Sequence, residues 1–353
     1  YAEYRHLDPG DYRFEVQCSN GETWSDSVTN EFTIRPPWWE TTLARIIGIL
    51  LLVVLFIAIY KIRVRKLKQR QVELENTVEE RTSELKEEKK TVELQKEIVE
   101  EKNKEIMDSI QYAKRIQSAI LPPPKLVKEY LNNSFILYKP KDIVAGDFYW
   151  METHGNKILF AAADCTGHGV PGALVSVVCN NGLNRAVREH GLSRPGEILD
   201  KAREIVIREF EKSDEEVRDG MDIALCSLTL DSDKMKLEYA GANNPLWLVR
   251  KGELTEVKGD KQPIGKYDNV KPFETHELEL EKGDTIYVFS DGYADQFGGT
   301  KGKKLKTANF KKLLVSIQNQ SMEEQKAYID SAFEQWRGEL EQIDDVCVIG
   351  VRI

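Results

Sequence analysis

The order of hydrophobic and polar positions passes through four regimes along the chain. Over residues 1–35 apolar and polar side chains alternate, with Tyr12, Phe14 and Val16 on one face and Phe32 and Ile34 in a second run, the period of half-exposed strands. Pro9-Gly10 and Asn20-Gly21 are turn dipeptides, and Trp24 follows the second. These residues read as the last strands of a β-sandwich, too few to bury a core alone. Between Ile46 and Tyr60 the alternation stops, and every residue is apolar, glycine or aromatic. The run lengthens to about 20 residues when Leu43, Ala44 and Ile62 are counted around Arg45 and Lys61, whose long stems can snorkel. A buried core helix or a signal-peptide segment shares that composition, but the flanks and the folded-looking segment upstream separate the cases. Trp38 and Trp39 stand on one side, whereas Lys61, Arg63, Arg65, Lys66, Lys68 and Arg70 crowd the other with no acid among them. Residues 38–62 are therefore expected to cross a membrane once, with the N-terminal piece outside and everything after Lys61 in the cytoplasm.

Residues 63–121 follow a third rhythm. No proline or glycine occurs between Gln71 and Leu121, and Val78, Leu85, Val92, Val99, Ile106, Ala113 and Ile120 recur every seven residues, one seam position of a coiled coil. The companion positions Arg81, Glu88, Gln95, Lys102 and Ser109 are polar. Such a half-apolar seam predicts a parallel homodimer of modest stability through residues 71–121, with a solvated single helix as the alternative. A weak coiled coil suits the passing on of a change in register or rotation, because two packings can lie within a few kcal/mol of each other. Pro122-Pro123-Pro124 ends the helix.

Beyond the prolines, short strand-like runs gather at 135–138, 143–151, 157–164, 223–230, 236–240, 246–249, 273–280, 285–289 and 346–353, with helical stretches at 170–189, 195–210, 309–316 and 322–339. Strands come in runs rather than in strict βαβ alternation, which predicts an α+β domain of antiparallel sheets with helices packed outside. Composition adds limits. The formal charge is −9 and the pI near 5.4, so no long basic face survives and nucleic acid is not an expected partner. Cys18, Cys165, Cys179, Cys226 and Cys347 form no CxxC pair, and the last four sit in apolar stretches, as small buried hydrophobes of a reducing compartment do. The chain opens on Tyr1 rather than methionine and is expected to be a fragment whose N-terminal half is missing.

The acids carry the chemistry. AGDFYW at 145–150, ADCTGHG at 163–169, SDGYAD at 290–295 and IDD at 343–345 each set an aspartate beside apolar strand residues, where a carboxylate is unfavourable unless a cation compensates it. Asp164 ends one expected strand where the chain turns through Gly167 and Gly169 into a helix, Asp291 ends another, and Asp344 begins the last. Converging on one edge of a sheet sandwich, they would supply the oxygen ligands that Mg²⁺ or Mn²⁺ takes. Taken singly, each serves as readily as a turn or helix cap.

Two resemblances follow. LDPGDYRFEVQCSNGETWSD, with Ile34, Pro36-Pro37 and Trp38 after it, resembles the Ig-like Y_Y_Y domain that sits just outside the membrane in bacterial two-component-type sensors, where it follows a β-propeller. The succession GDFYW, DCTGHGVPGA, ANNPLW, PIG, DTIYVFSDG and DDVCVIGV, led by SIQYAKRIQSAILPP, resembles over residues 108–353 the SpoIIE-type (stage II sporulation protein E) branch of the metal-dependent PPM, or protein phosphatase 2C, superfamily. This second resemblance implies an αββα four-layer sandwich, two Mg²⁺ or Mn²⁺ ions between the sheets, and hydrolysis of phosphoserine or phosphothreonine by in-line attack of water without a covalent phospho-enzyme. It implies Asp164 as the bridging ligand with the Cys165 carbonyl beside it, Asp291 and Asp344 at the other metal, and Asp147 at an early acidic position touching metal or its waters. Gly146 stands where the phosphatase 2C branch proper carries a glutamate, implying a more weakly held second ion. Asp295 is a candidate for a further ion or a ligand water, and Asp345 for a hydrogen-bond partner of the ligands. His168 is either a general acid or the shaper of the 167–169 turn. Asn243 and Asn244 either contact substrate phosphate or build a turn before Pro245, and Lys139 and Lys141, in the absence of an evident arginine, are either phosphate anchors or surface lysines.

The expected organisation is thus the end of an extracytoplasmic Ig-like domain at 1–37, a transmembrane helix at 38–62, a cytoplasmic coiled coil at 63–121 and the phosphatase at 122–353. It would sit in the bacterial inner membrane with the N-terminal part periplasmic or extracellular. Its implied substrate is a phosphorylated partner protein, a STAS-domain anti-sigma-factor antagonist. A sensor histidine kinase shares the outside domain, span and coiled coil, and the 164–169 segment superficially resembles a D-x-G-x-G box, but the linker helix contains no histidine. An inert partner-binding domain has no use for several uncompensated carboxylates.

Overall fold

A computed structural model of the chain describes residues 4–212, 217–229 and 235–353. Residues 1–3 of the expected Ig-like segment and Leu230, the end of one expected strand, lie outside these. The chain divides into two units, Tyr1–Val99 and Glu100–Ile353.

In the first unit β1 (Gly10–Val16) and β2 (Val28–Ile34) pair antiparallel. Tyr12 stands opposite Phe32 and their rings stack at 5.8 Å, while Asn20 Oδ1 accepts from the Glu22 and Thr23 amides and Gly21 takes φ +101°. A solvated two-stranded ribbon is all that forms, since two strands offer no second layer. Helix α1 (Thr42–Ile120) then runs without a break, because no proline or glycine interrupts it after Gly48. It holds an 18-residue window of mean hydropathy 2.8 with none of it buried, so it is long and apolar enough to cross a membrane. Val78, Leu85, Val92 and Val99 are exposed along it.

The second unit takes in the end of α1, which Pro122 terminates, and α2 (Pro124–Tyr130), which uses Pro124 as its first residue. Then come β3 (Ser134–Lys139), β4 (Phe148–His154), β5 (Lys157–Cys165), α3 (Gly169–Arg188), α4 (Pro195–Phe210), β6 (Met221–Thr229), β7 (Lys236–Ala242), β8 (Leu246–Arg250), β9 (Glu253–Val257), β10 (His276–Glu279), β11 (Thr285–Phe289), the single turn α5 (Gly292–Asp295), the short pair β12 (Phe297–Gly298) and β13 (Lys303–Lys304), α6 (Thr307–Ser316), α7 (Met322–Arg337) and β14 (Val346–Arg352). Two five-stranded antiparallel sheets result, in the orders β10-β7-β6-β5-β4 and β3-β14-β11-β8-β9.

Strand alternation builds the layers. Along β5, Ile158, Phe160 and Ala162 join Ile286, Val288, Cys347 and Ile349 in a core between the sheets. Leu159, Ala161 and Ala163 face the other way, against Cys179 and Leu183 of α3 and Ile198 and Ala202 of α4. On the second sheet Trp247, Tyr287, Phe289 and Val348 pack outward on Phe310 of α6 and Ile329 and Phe333 of α7. The order is helices, sheet, sheet, helices.

Two expected strands shift, and one strand was not expected. The strand expected at 143–151 starts only at Phe148, and residues 140–147 are a loop held by tertiary hydrogen bonds. The strand expected at 273–280 shrinks to β10. Strand β9 escapes the pattern because it is a half-exposed edge strand of polar composition, closed by the turn at Lys251 (φ +48°) and Gly252 (φ +86°). The second unit also starts at Glu100, inside the expected linker. There Gln117 of α1 is buried, donating to the Ala145 carbonyl (2.5 Å) and Ser176 Oγ (3.0 Å) and accepting from the Ala145 amide (3.1 Å).

Candidate active site

The C-terminal ends of β5 and β11 and the N-terminal ends of β6 and β14 meet at one edge of the sandwich. Asp164, the last residue but one of β5, stands directly opposite Asp222 of β6. Both carry the parity of the strand positions that face the second sheet. Asp291, at the end of β11, donates its amide to Asp164 Oδ2 over 3.5 Å although 127 residues separate them. Asp164, Asp222, Asp291 and Asp344 line one cavity of about 300 Å³, together with Cys165, Gly167, His168 and Arg218.

Like charges placed opposite each other on a sheet repel. Burial, then Asp291, Asp344 and Asp222, push the Asp164 carboxyl up to about 8, and burial, then Asp295 and Asp344, push Asp291 up to about 6. Burial also raises Asp222. Behind them Asp147 is buried and held well above the carboxylate range by burial and by Asp164, and its Oδ2 lacks a hydrogen-bond partner. Among the described residues no three acidic, histidine or cysteine side chains close into a finished ligand set; the carboxylates stand around the cavity wall instead. An excess of carboxylates over the single arginine of the cavity and an orphaned buried oxygen fit hard divalent cations, which take oxygen ligands and would relieve both.

Glycines let the site loops touch. Gly167 (φ +81°) and Gly169 (φ +62°) turn the chain from β5 into α3. A Cβ on Gly146 or on Gly172 would lie 2.2 Å from the Gly167 carbonyl oxygen. Gly146 is thus a packing requirement, and the glutamate expected at its position in the wider superfamily has no room. Asp345, buried, accepts from the Lys141 amide at 2.7 Å and the Gly146 amide at 2.6 Å, which explains why residues 140–147 leave the strand conformation. His168 lies with Nδ1 2.8 Å from Asp142 Oδ2 and Nε2 3.0 Å from Lys141 Nζ. An ammonium only donates, so Nε2 accepts and Nδ1–H donates to Asp142.

Lys139 pairs with Asp330 (2.5 Å) and Glu334 (2.6 Å) on α7 and is not among the residues that line the cavity. Asp295 is taken by Lys304 at 2.7 Å. Asn243 (φ +57°) donates Nδ2 to Asp222 Oδ1 at 2.8 Å. Asn244 is buried, its backbone carbonyl accepts from Tyr239 Oη at 2.5 Å, and its side-chain Nδ2 lacks a hydrogen-bond partner. Asp222, Arg218 and Asp142 escaped the sequence reading. Asp222 carried a usable signal, an acid one residue before an apolar run, the mirror image of Asp164. Arg218 carried none, since it lies in an irregular segment.

A family model described as Stage II sporulation protein E (SpoIIE) matches residues 154–353. The phosphoserine phosphatase RsbU of Bacillus subtilis (strain 168) is 28% identical over 196 residues, 54% of this chain and 55% of RsbU, so the chain spans about half the length of that curated relative. Among solved structures, the SiaA-PP2C domain of Pseudomonas aeruginosa aligns with a TM-score of 0.63 at 32% identity, over 71% of this chain and 98% of that domain. The PP2C phosphatase domain of the cell fate determinant SpoIIE from Bacillus subtilis, with a fragment of its regulatory domain, shares the fold at a TM-score of 0.50 and 19% identity, over 62% of each chain.

Proposed function

The chain belongs to the stage II sporulation protein E family and has the PP2C fold, and from that premise we propose that it is a membrane-anchored, metal-dependent protein serine/threonine phosphatase. One observation carries the reading: four aspartates from four strand ends line a single cavity, backed by the buried Asp147, and their mutual repulsion calls for cations. Asp147, Asp164, the Cys165 carbonyl, Asp291 and Asp344 are the residues to hold two ions, Mg²⁺ or Mn²⁺, which when bound would neutralise phosphoryl charge and acidify an attacking water.

The chain's own residues do the remainder. Asp345 clamps the 140–147 loop and so holds Asp147 in place. The Gly146–Gly167 approach keeps the two site loops together and excludes water between them. His168 lines the cavity with Nδ1–H held by Asp142 and Nε2 accepting from Lys141; the proposed proton donor to the leaving seryl oxygen is its imidazolium, formed when Nε2 takes a proton in place of the Lys141 hydrogen bond. RsbU, the phosphoserine phosphatase, supports phosphoserine on a protein as the target, and a phosphorylated STAS-domain protein is the proposed partner. The exposed apolar part of α1 and its basic flank support a single span in the bacterial inner membrane with the phosphatase cytoplasmic. The exposed heptad residues support a parallel homodimer through residues 71–121. The kinase-like reading draws no support from the fold, since the 164–169 turn opens into the carboxylate cavity and His276, followed by Glu277, lies on the edge strand β10.

The test is phosphate release from a phosphoserine protein by residues 100–353, with Mn²⁺ supplied or chelated and with Asp164→Asn as control. Release that needs the metal and vanishes in the variant is expected. Metal-independent turnover, or full activity in the variant, would remove the mechanism.

A further inference from the structure

We propose that Arg218 binds the substrate's phosphoryl oxygens, making the segment ahead of β6 the phosphate-recognition wall of the cavity. This deepens the phosphatase reading and rests on it. Arg218 lines the cavity that Asp164, Asp222, Asp291 and Asp344 also line, and among the described residues no other arginine does. Neither lysine expected for the task, Lys139 or Lys141, lines it. A phosphomonoester dianion entering past four carboxylates needs positive charge on more than the carboxylate side. A guanidinium suits the remaining oxygens, because its planar fork donates two parallel hydrogen bonds to one phosphoryl group.

The backbone beneath Arg218 is fastened as a binding wall requires. Its neighbour Asp219 accepts from Thr166 Oγ1 at 2.8 Å. Gly220 donates to the same hydroxyl at 3.2 Å and accepts from the Thr166 amide at 3.0 Å. Met221 and Ile264 exchange both backbone hydrogen bonds, at 3.1 and 2.9 Å. A Cβ on Gly220 would lie 2.2 Å from the Ile264 carbonyl oxygen, so the segment is pressed against its neighbour with no slack. Arg218 therefore stands on backbone tied to the turn that follows Asp164, and that backbone needs no ordering when phosphate binds. During hydrolysis a new bond forms from the water oxygen to phosphorus while the bond from phosphorus to the seryl oxygen breaks, its electron pair and a proton ending on that oxygen. Arg218 gains and loses no proton, and inorganic phosphate leaves from the same contacts.

Inorganic phosphate is accordingly the probe. The full chain in detergent with saturating Mn²⁺ is compared as wild type, Arg218→Lys and Arg218→Ala, by KM and kcat on a phosphoserine protein and on an aryl phosphate. The inhibition constant and the calorimetric affinity for inorganic phosphate are measured alongside. Loss of charge-assisted hydrogen bonds in Arg218→Ala is expected to raise KM and the phosphate inhibition constant by about ten- to a hundredfold on both substrates. Arg218→Lys should recover part of the loss, and the urea m value should stay unchanged as evidence of an intact fold. Unaltered phosphate affinity in Arg218→Ala overturns the assignment, as does a loss confined to kcat. Absence of turnover in the wild type would instead sink the phosphatase reading, and the calorimetric phosphate affinity would still decide the role of Arg218.

Discussion

Replacing Asp164 with asparagine should stabilise the metal-free second unit while ruining it as a metal site. The folded carboxyl is pushed up to about 8 from the ordinary 3.8 by burial and by Asp291, Asp344 and Asp222. At 1.36 kcal/mol per unit that shift corresponds to a ceiling of roughly 6 kcal/mol. Water enters the cavity and the neighbouring acids share the proton, so a realised effect of about 2 kcal/mol is expected. The sign follows from proton counting. Between about pH 4 and pH 8 the folded state binds a proton that the unfolded state has released, so wild-type stability falls as pH rises through that window and levels off above it. Asparagine does not titrate, and the contribution of this position disappears from the curve. Urea denaturation of residues 100–353 in chelator should therefore show the two proteins nearly equal at pH 4.5 and the variant ahead by about 2 kcal/mol at pH 9, with the same m value. Added Mn²⁺ should reverse the order, because only the wild type gains the binding term, roughly 2.7 kcal/mol at a hundred times Kd. Parallel pH curves, or a wild type that is the more stable protein at pH 9 without metal, would refute the claim that these carboxylates repel one another in the fold.

Further outcomes are open to measurement. Gly146→Ala drives a methyl into the Gly167 carbonyl and should cost about 1–3 kcal/mol of stability; Gly146→Glu should weaken Mn²⁺ binding rather than strengthen it, and tighter binding on calorimetry would contradict the packing account. Asp142→Ala removes the acceptor of His168 Nδ1–H and should lower kcat about tenfold with KM nearly constant, with a changed tautomer in the ¹⁵N spectrum of His168; an unchanged tautomer would dissociate the two residues. Val92→Asp with Val99→Asp places charges on the exposed heptad seam and should turn a dimer into a monomer in analytical ultracentrifugation; a wild type already monomeric across the micromolar range would leave the helix a spacer.

Much of the sandwich is readable in single segments. The run from Lys157 to Cys165 names both of its faces by alternation, and both are buried in the structure. The aspartates at 164, 291 and 344 announce themselves as acids beside apolar strands. Residues 143–145 do not announce their loop, because Ile143, Val144 and Ala145 have the composition of a strand. Their conformation is set by Asp345, 199 positions from Gly146, and by Gln117 in the helix before them. Lys139 resembles a free anchor until α7 brings Asp330 and Glu334 to it.

Local pattern alone determined the apolar helix with its basic flank, the heptad seam, the two-faced strands and the identity of the acids, because period, charge and turn chemistry act between residues a few positions apart. Tertiary structure decided which acids share a cavity, that Asp222 and Arg218 join them, and that position 146 has room for hydrogen only. Those outcomes depend on Coulomb energy and van der Waals contact, which vary with distance through space and are blind to separation along the chain.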